Sequence, residues 1–142
     1  MKRGMKQQGF SMIELMVAIV IVAIITAVAL PSYQSSILRT NRNEARAVLY
    51  ENQMFMEQRF AANNNYGAVQ PALPFPQSPK GGVSKYTITL VNWTPTSYQL
   101  KATPVAGYNE RDICGTFVID NTARKTLEGT HSMSSDECWQ GK

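Results

Sequence analysis

The stretch Lys6-Gln7-Gln8-Gly9-Phe10-Ser11-Met12-Ile13-Glu14-Leu15 decides how the rest of the chain is read. It joins a short basic head, carrying Lys2, Arg3 and Lys6, to an apolar run that lasts to Leu30. One carboxylate, Glu14, stands at the start of that run, four residues beyond Phe10. An ordinary anchor or export signal gains nothing from an acid there, because an unpaired carboxylate resists leaving water. Residues 15–30 hold ten Leu, Ile or Val and no charge. At roughly −0.3 to −0.6 kcal/mol each, they favour insertion by about −3 to −6 kcal/mol, against up to about +3 kcal/mol for an acid at mid-bilayer. Insertion prevails with Glu14 included. As helix, residues 10–30 span about 31 Å, enough to cross a hydrocarbon core. The positive-inside rule leaves the basic head in the cytoplasm and exports everything beyond Pro31.

Two plainer readings compete. Ala27-Val28-Ala29 fits the A-x-A cut of a secretory signal, but the run is long, an acid interrupts its start, and Pro31 follows the cut closely. An uncleaved anchor with an incidental Glu is the other. Against both, the ordered junction resembles the class III signal of type IV prepilins and pseudopilins. The resemblance implies that a dedicated inner-membrane peptidase cuts after Gly9 and methylates the new amine of Phe10. It also implies that Glu14 pairs with the Phe10 amine of a neighbouring subunit joining a growing filament. A buried carboxylate needs such a counter-charge.

The 142 residues leave room for one small domain besides the anchor. Three of the 14 basic residues lie in the leader, so removing it leaves 11 basic against 10 acidic. The basic balance belongs largely to the leader and is no nucleic-acid footprint. Cys114 and Cys138 both fall in the exported part, where disulfides persist. Two free thiols or half a metal site are the alternatives to a bridge. A single His131 and the lack of a C-x-x-C argue against zinc. For a bridge closing this loop, the chain-entropy model yields roughly 3.5 kcal/mol.

Beyond Pro31, which should kink the helix, the helical pattern resumes. Ala45, Val48, Leu49, Met56 and Phe60 recur at helical steps, with Arg42, Arg46, Glu57 and Arg59 supplying polar positions. One long bent helix is expected over about residues 10–61, stopped by Asn63-Asn64-Asn65. Pro71, Pro74, Pro76 and Pro79 then mark residues 66–82 as a loop that excludes regular pairing. Alternation predicts strands at 86–91, 98–102 and 116–119, with Pro104 ending the second. A turn at Asp120-Asn121 leads to a short fourth strand near 124–127. One face of this antiparallel sheet should pack on the exported half of the helix.

Taken together, the chain resembles the type IV pilin fold, an α+β class. A long N-terminal helix packs on a small antiparallel sheet with a disulfide-closed C-terminal loop. The implied divisions are a leader at 1–9, a membrane and filament-core helix at 10–31, its amphipathic continuation at 32–63, and a head at 64–142. Cys114-Gly115-Thr116-Phe117-Val118-Ile119-Asp120 through Asp136-Glu137-Cys138-Trp139 is similar to PilE-type minor pilins, with Glu137 inserted between Asp136 and Cys138. The implied role is a low-copy filament subunit that helps prime assembly, in the inner membrane first and then in the extracellular pilus. Its partners would be major and minor pilins and the prepilin peptidase, with no small-molecule substrate. A major pilin, a competence pilin that binds DNA and a type II secretion pseudopilin are the alternatives. Lys80, Lys85 and Lys101, in a stretch without acids, are the DNA candidates. No phosphate loop, His-paired nucleophile or acid pair with a supporting His points to an enzyme. No cofactor or metal is expected; Asp136-Glu137 reads as a solvated acidic pair and His131 as a surface residue.

Overall fold

The computed structural model describes residues 10–107 and 112–141, so the leader and the cut after Gly9 lie outside the described residues. Two compact units divide the chain, Met1–Ser36 and Ile37–Lys142, and helix α1 (Met12–Asn63) contributes to both.

In the first unit every described residue is exposed, including the long apolar series from Phe10 to Leu30. Two hydroxyls bond back to the helix itself. Thr26 Oγ1 donates to the Val22 carbonyl at 2.7 Å and Ser35 Oγ to the Ser32 carbonyl at 2.9 Å. That habit satisfies a hydroxyl where no water is at hand. α1 is assigned without a break through Pro31, whose missing N–H leaves the Ala27 carbonyl without its usual intrahelical donor.

In the second unit α1 offers Arg42, Ala45, Val48, Leu49, Asn52 and Met56 as its buried stripe. Steps of three, four and seven keep these residues on one side of a 3.6-residue helix. Asn64 ends the helix in the left-handed region, φ 54°, its N–H donating to the Phe60 carbonyl at 2.7 Å.

The sheet has five antiparallel strands in sequence order: β1 (Gln77–Ser78), β2 (Tyr86–Val91), β3 (Gln99–Pro104), β4 (Thr116–Asp120) and β5 (Lys125–Glu128). Tyr86, Ile88 and Leu90 on β2 share the core face with Leu100, Ala102, Phe117 and Ile119, and the α1 stripe packs in the same cluster. Two expectations differ from the structure. The proline-rich loop does contribute a strand, since Gln77 and Ser78 pair with Thr87 and Tyr86 between the prolines. Pro104 ends β3 as expected, lying opposite Tyr86 at an end position that needs no donor from proline. The tail is not only a loop: Ser135–Gln140 forms a short helix, α2. Ser134 and Glu137 start it with a reciprocal capping box, and Gly141 ends it at φ 84°.

Candidate functional site

Glu14 lies in the first turn of α1, one turn beyond Phe10, which is 83% exposed. The turn is already hydrogen-bonded, with the Leu15 N–H donating to the Ser11 carbonyl at 3.2 Å. An acid in a first turn meets the positive end of the helix dipole, which favours its charge. Among the described residues none hydrogen-bonds or ion-pairs with Glu14. Among the described residues, the stem therefore presents one carboxylate at the head of an exposed apolar helix.

The other chemistry gathers around the tail. Cys114 and Cys138 are bonded at 2.03 Å and both are fully buried. Gly115, which opens β4, sits at φ 65°, and a Cβ there would lie 2.7 Å from the Glu128 carbonyl oxygen. That close approach is the physical reason for glycine directly after the cysteine. Arg42, only 6% exposed, reaches the same place from α1. Its Nη1 donates to Cys114 Sγ at 3.0 Å and its Nε lies 3.7 Å from Asp112 Oδ1. Asp112 Oδ1 accepts the Cys114 N–H at 2.9 Å, and Oδ2 accepts the Tyr86 hydroxyl. Burial, then the hydrogen bond to Asp112, pushes the Tyr86 phenol above its ordinary pKa.

One turn further along α1, Arg46 donates to the Trp139 carbonyl and to Asn43 Oδ1. Gly141 sits at φ 84°, in the left-handed region that favours glycine, and a Cβ there would lie 2.6 Å from that guanidinium. Trp139 stacks edge-on against Phe117 at 5.3 Å and donates from Nε1 to the Thr126 carbonyl at 3.1 Å.

Glu57 accepts the hydroxyls of Tyr98 at 2.7 Å and Tyr66 at 3.2 Å. Burial and the Glu57 charge push the Tyr66 phenol up to about 12; Tyr98 is raised also, by burial first and then by its bond to Glu57. Asn52, fully buried, holds the Phe75 backbone with both ends of its amide, donating at 2.8 Å and accepting at 3.3 Å. Arg42, Arg46 and Glu57 were expected on a polar helix face. Each instead reaches a specific partner in the head or tail. No local signal distinguishes them, because their partners are far away in sequence.

The cations set apart for DNA are largely answered by acids. Lys80 ion-pairs with Glu51 and lies 4.3 Å from the Phe75 ring. Lys101 pairs with Glu128 beside Val118, which faces away from the core yet is only 2% exposed. Lys125 lies over the rings of Tyr50 and Trp139 at 5.3 and 5.7 Å. Of the proposed acidic pair, Glu137 closes the α2 capping box, while His131 is exposed with Nδ1 3.1 Å from the Met133 carbonyl.

A prokaryotic N-terminal methylation motif matches residues 4–30. The family model described as type IV minor pilin ComP, DNA uptake sequence receptor, matches residues 31–118, more than half of the chain. The type IV wide pilus major component PilA4 of Thermus thermophilus is 28% identical over 131 residues, which is 92% of this chain and 96% of that one. A fimbrial protein of Moraxella nonliquefaciens is 51% identical over 39 residues, 28% of this chain and 25% of its own length. The solved non-core minor pilin PilV of Neisseria meningitidis superposes with a TM-score of 0.53 at 19% identity. That match covers 71% of this chain and 95% of PilV and shows a shared fold. The chain belongs to the type IV minor pilin ComP family, a family of structural filament subunits.

Proposed function

We propose that this minor pilin is freed from residues 1–9 by cleavage after Gly9, methylated at Phe10, and drawn from the inner membrane into a filament by its Glu14. Residues 10–31 serve first as a single membrane pass, with the C-terminal part in the periplasm, and then as filament core. Residues 32–63 carry the helix into the head at 64–142. The observation that carries this reading is the lone acid at the head of an exposed apolar stem. In lipid such a carboxylate is costly, and the ammonium of an adjoining Phe10 is the counter-charge that a second subunit would bring. The pair would set subunit register. As a low-copy subunit, the chain would help other minor pilins prime assembly.

Glu14→Ala tests this directly. Membrane insertion should persist and recovery in sheared filaments should fall at least tenfold. Normal recovery would end the proposal. Mass spectrometry of the mature chain should find an N-terminus at Phe10 carrying one methyl group; a start near Leu30 would discard the stem altogether.

The description of the matched family favours a second reading, capture of DNA by the exported head. The local electrostatics weigh on it, since Lys80 and Lys101 already face Glu51 and Glu128. Each phosphate neutralised contributes about −0.9 to the slope of log affinity against log salt. Filter binding of the purified mature chain should show a slope shallower than about −2. A steeper slope would restore DNA capture, and no retention at low salt would remove it.

A further inference from the structure

Where α1 enters the second unit, apolar and cationic side chains stand exposed together. Ile37 is 42% exposed, and Arg39 is exposed two residues further on. Ile113 belongs to the same end of the unit. Its neighbours Asp112 and Cys114 both meet Arg42, whose Nε also donates to the Leu38 carbonyl at 3.4 Å. The Ile113 carbonyl is tied to the Ser132 N–H at 3.0 Å, yet the residue remains 41% exposed.

Between Glu14 and Glu44 the sequence holds no acid, and its only cations are Arg39 and Arg42. Arg42 is engaged by Asp112 and Cys114. The Arg39 guanidinium has no hydrogen bond or ion pair among the described residues. Glu44, five residues on, lies about 140° further round a helix of 3.6 residues per turn. Positive field gathers here: burial first, and after it the charges of Arg42 and Arg39, lower the pKa of Arg46 against an opposing effect of Tyr50. Side chains on a helix lean toward its N-terminus, so Ile37 and Arg39 lean back along α1 toward the apolar run. The six steps from Pro31 to Ile37 span at most about 20 Å even fully extended. An end that follows a membrane pass so closely stays within reach of the lipid headgroups.

We propose that this end of the head is a seat on the periplasmic leaflet, with Arg39 bound to the phosphate of an anionic phospholipid and Ile37 and Ile113 set among the upper acyl chains. The inference rests on the membrane pass proposed above. Arginine offers a phosphate paired N–H donors, and its apolar stem lies along lipid chains while the charge stays at the interface. The contact holds the head at the bilayer and is broken when the subunit leaves for a filament.

The test places a chain beginning at Phe10 in phosphatidylcholine vesicles holding a trace of spin-labelled phosphatidylglycerol or spin-labelled phosphatidylcholine. Such a chain lacks Lys2, Arg3 and Lys6, whose own attraction for anionic lipid then does not enter. Electron spin resonance separates lipid slowed by the protein from free lipid and gives the relative affinity. Phosphatidylglycerol should be favoured about fivefold, the effect of one basic residue near an anionic surface. Arg39→Gln should bring the two lipids to parity, Arg39→Lys should keep most of the preference, and Lys80→Gln should leave it unchanged. Parity in the unaltered chain, or a preference that survives Arg39→Gln, overturns the proposal. An equal loss with Lys80→Gln marks a diffuse attraction and overturns it too. Ile37→Trp supplies a second measurement: lipid brominated just below the headgroup should quench the added emission more than lipid brominated at the chain end, and no quenching counts against the seat. Carbonate extraction keeps the two readings apart. A chain washed from the vesicles ends the membrane pass and this inference with it, whereas a retained chain without lipid preference ends this inference alone.

Discussion

Glu14 in the stem and Asp112 in the head meet the same difficulty in opposite ways. Asp112, with its side chain 1% exposed, is answered within the chain by Arg42, the Tyr86 hydroxyl and the Cys114 N–H. Glu14 has no such answer among the described residues, and the apolar side chains around it are exposed. Asp112 is thus answered within the head, whereas Glu14 is left to whatever surrounds the stem. The charge in the head is held by folding; under the proposed function, the charge in the stem acts in assembly.

Removing Arg42 should break this comparison most severely. Arg42→Ala leaves Asp112 buried beside an empty site, and stranding one partner of a buried pair costs about 3–5 kcal/mol. Chemical unfolding of the mature chain in micelles, followed by tryptophan fluorescence, should show that loss. Glu14→Ala should shift the same curve by less than about 0.5 kcal/mol, the ordinary range for a substitution away from a packed core. A large loss with Glu14→Ala would mean that the stem acid supports the fold, and the contrast would fail.

Asn52→Ala is expected to cost about 2 kcal/mol, since it strands a buried N–H and C=O of Phe75. Assembly should survive wherever the head still folds. A variant that folds normally yet is missing from filaments would place assembly chemistry in the head as well.

Alkaline pH sharpens the same contrast. An unperturbed tyrosine ionises near 10.0, while Tyr66 is held up to about 12 and Tyr86 and Tyr98 are raised too. Folded values above unfolded ones mean that this stability is intact below pH 10 and declines as pH rises toward 12. The tyrosinate absorbance due to Tyr66, Tyr86 and Tyr98, taken as the difference from their Phe variants, should thus appear together with loss of the tryptophan signal. Ionisation well before unfolding would show that the hydroxyls are not held by Glu57 and Asp112.

The smallest effect belongs to the β4–β5 turn. Asp120 Oδ1 accepts the Thr122 N–H, the Thr122 hydroxyl and the Arg124 N–H at 2.9, 2.6 and 3.0 Å. Burial alone would raise its pKa, but these bonds and the Arg124 charge together lower it from 3.8. Its contribution is present above the ordinary carboxylate range and is lost as pH falls below it. Asp120→Ala should cost about 1 kcal/mol at neutral pH and flatten the acid limb of the stability profile.

The stem was legible from the sequence because its properties are local. Ten branched apolar residues give a helix long and apolar enough to cross a membrane, whatever lies near them in space. The helix stop at Asn64 and the alternating strands were legible for the same reason, since cap geometry and pleat period act over a few residues. The short β1 hid among prolines, and α2 is a single capped turn or two with little apolar periodicity to show itself. What only the tertiary structure decided was the role of each polar side chain in the head. Arg42 meets Cys114 across 72 positions, Lys80 meets Glu51 across 29, and Lys101 meets Glu128 across 27. Hydropathy places all of these on a surface. A charge is retained or withdrawn from water according to what the fold brings within about 4 Å of it, and that distance is set by packing rather than by order along the chain.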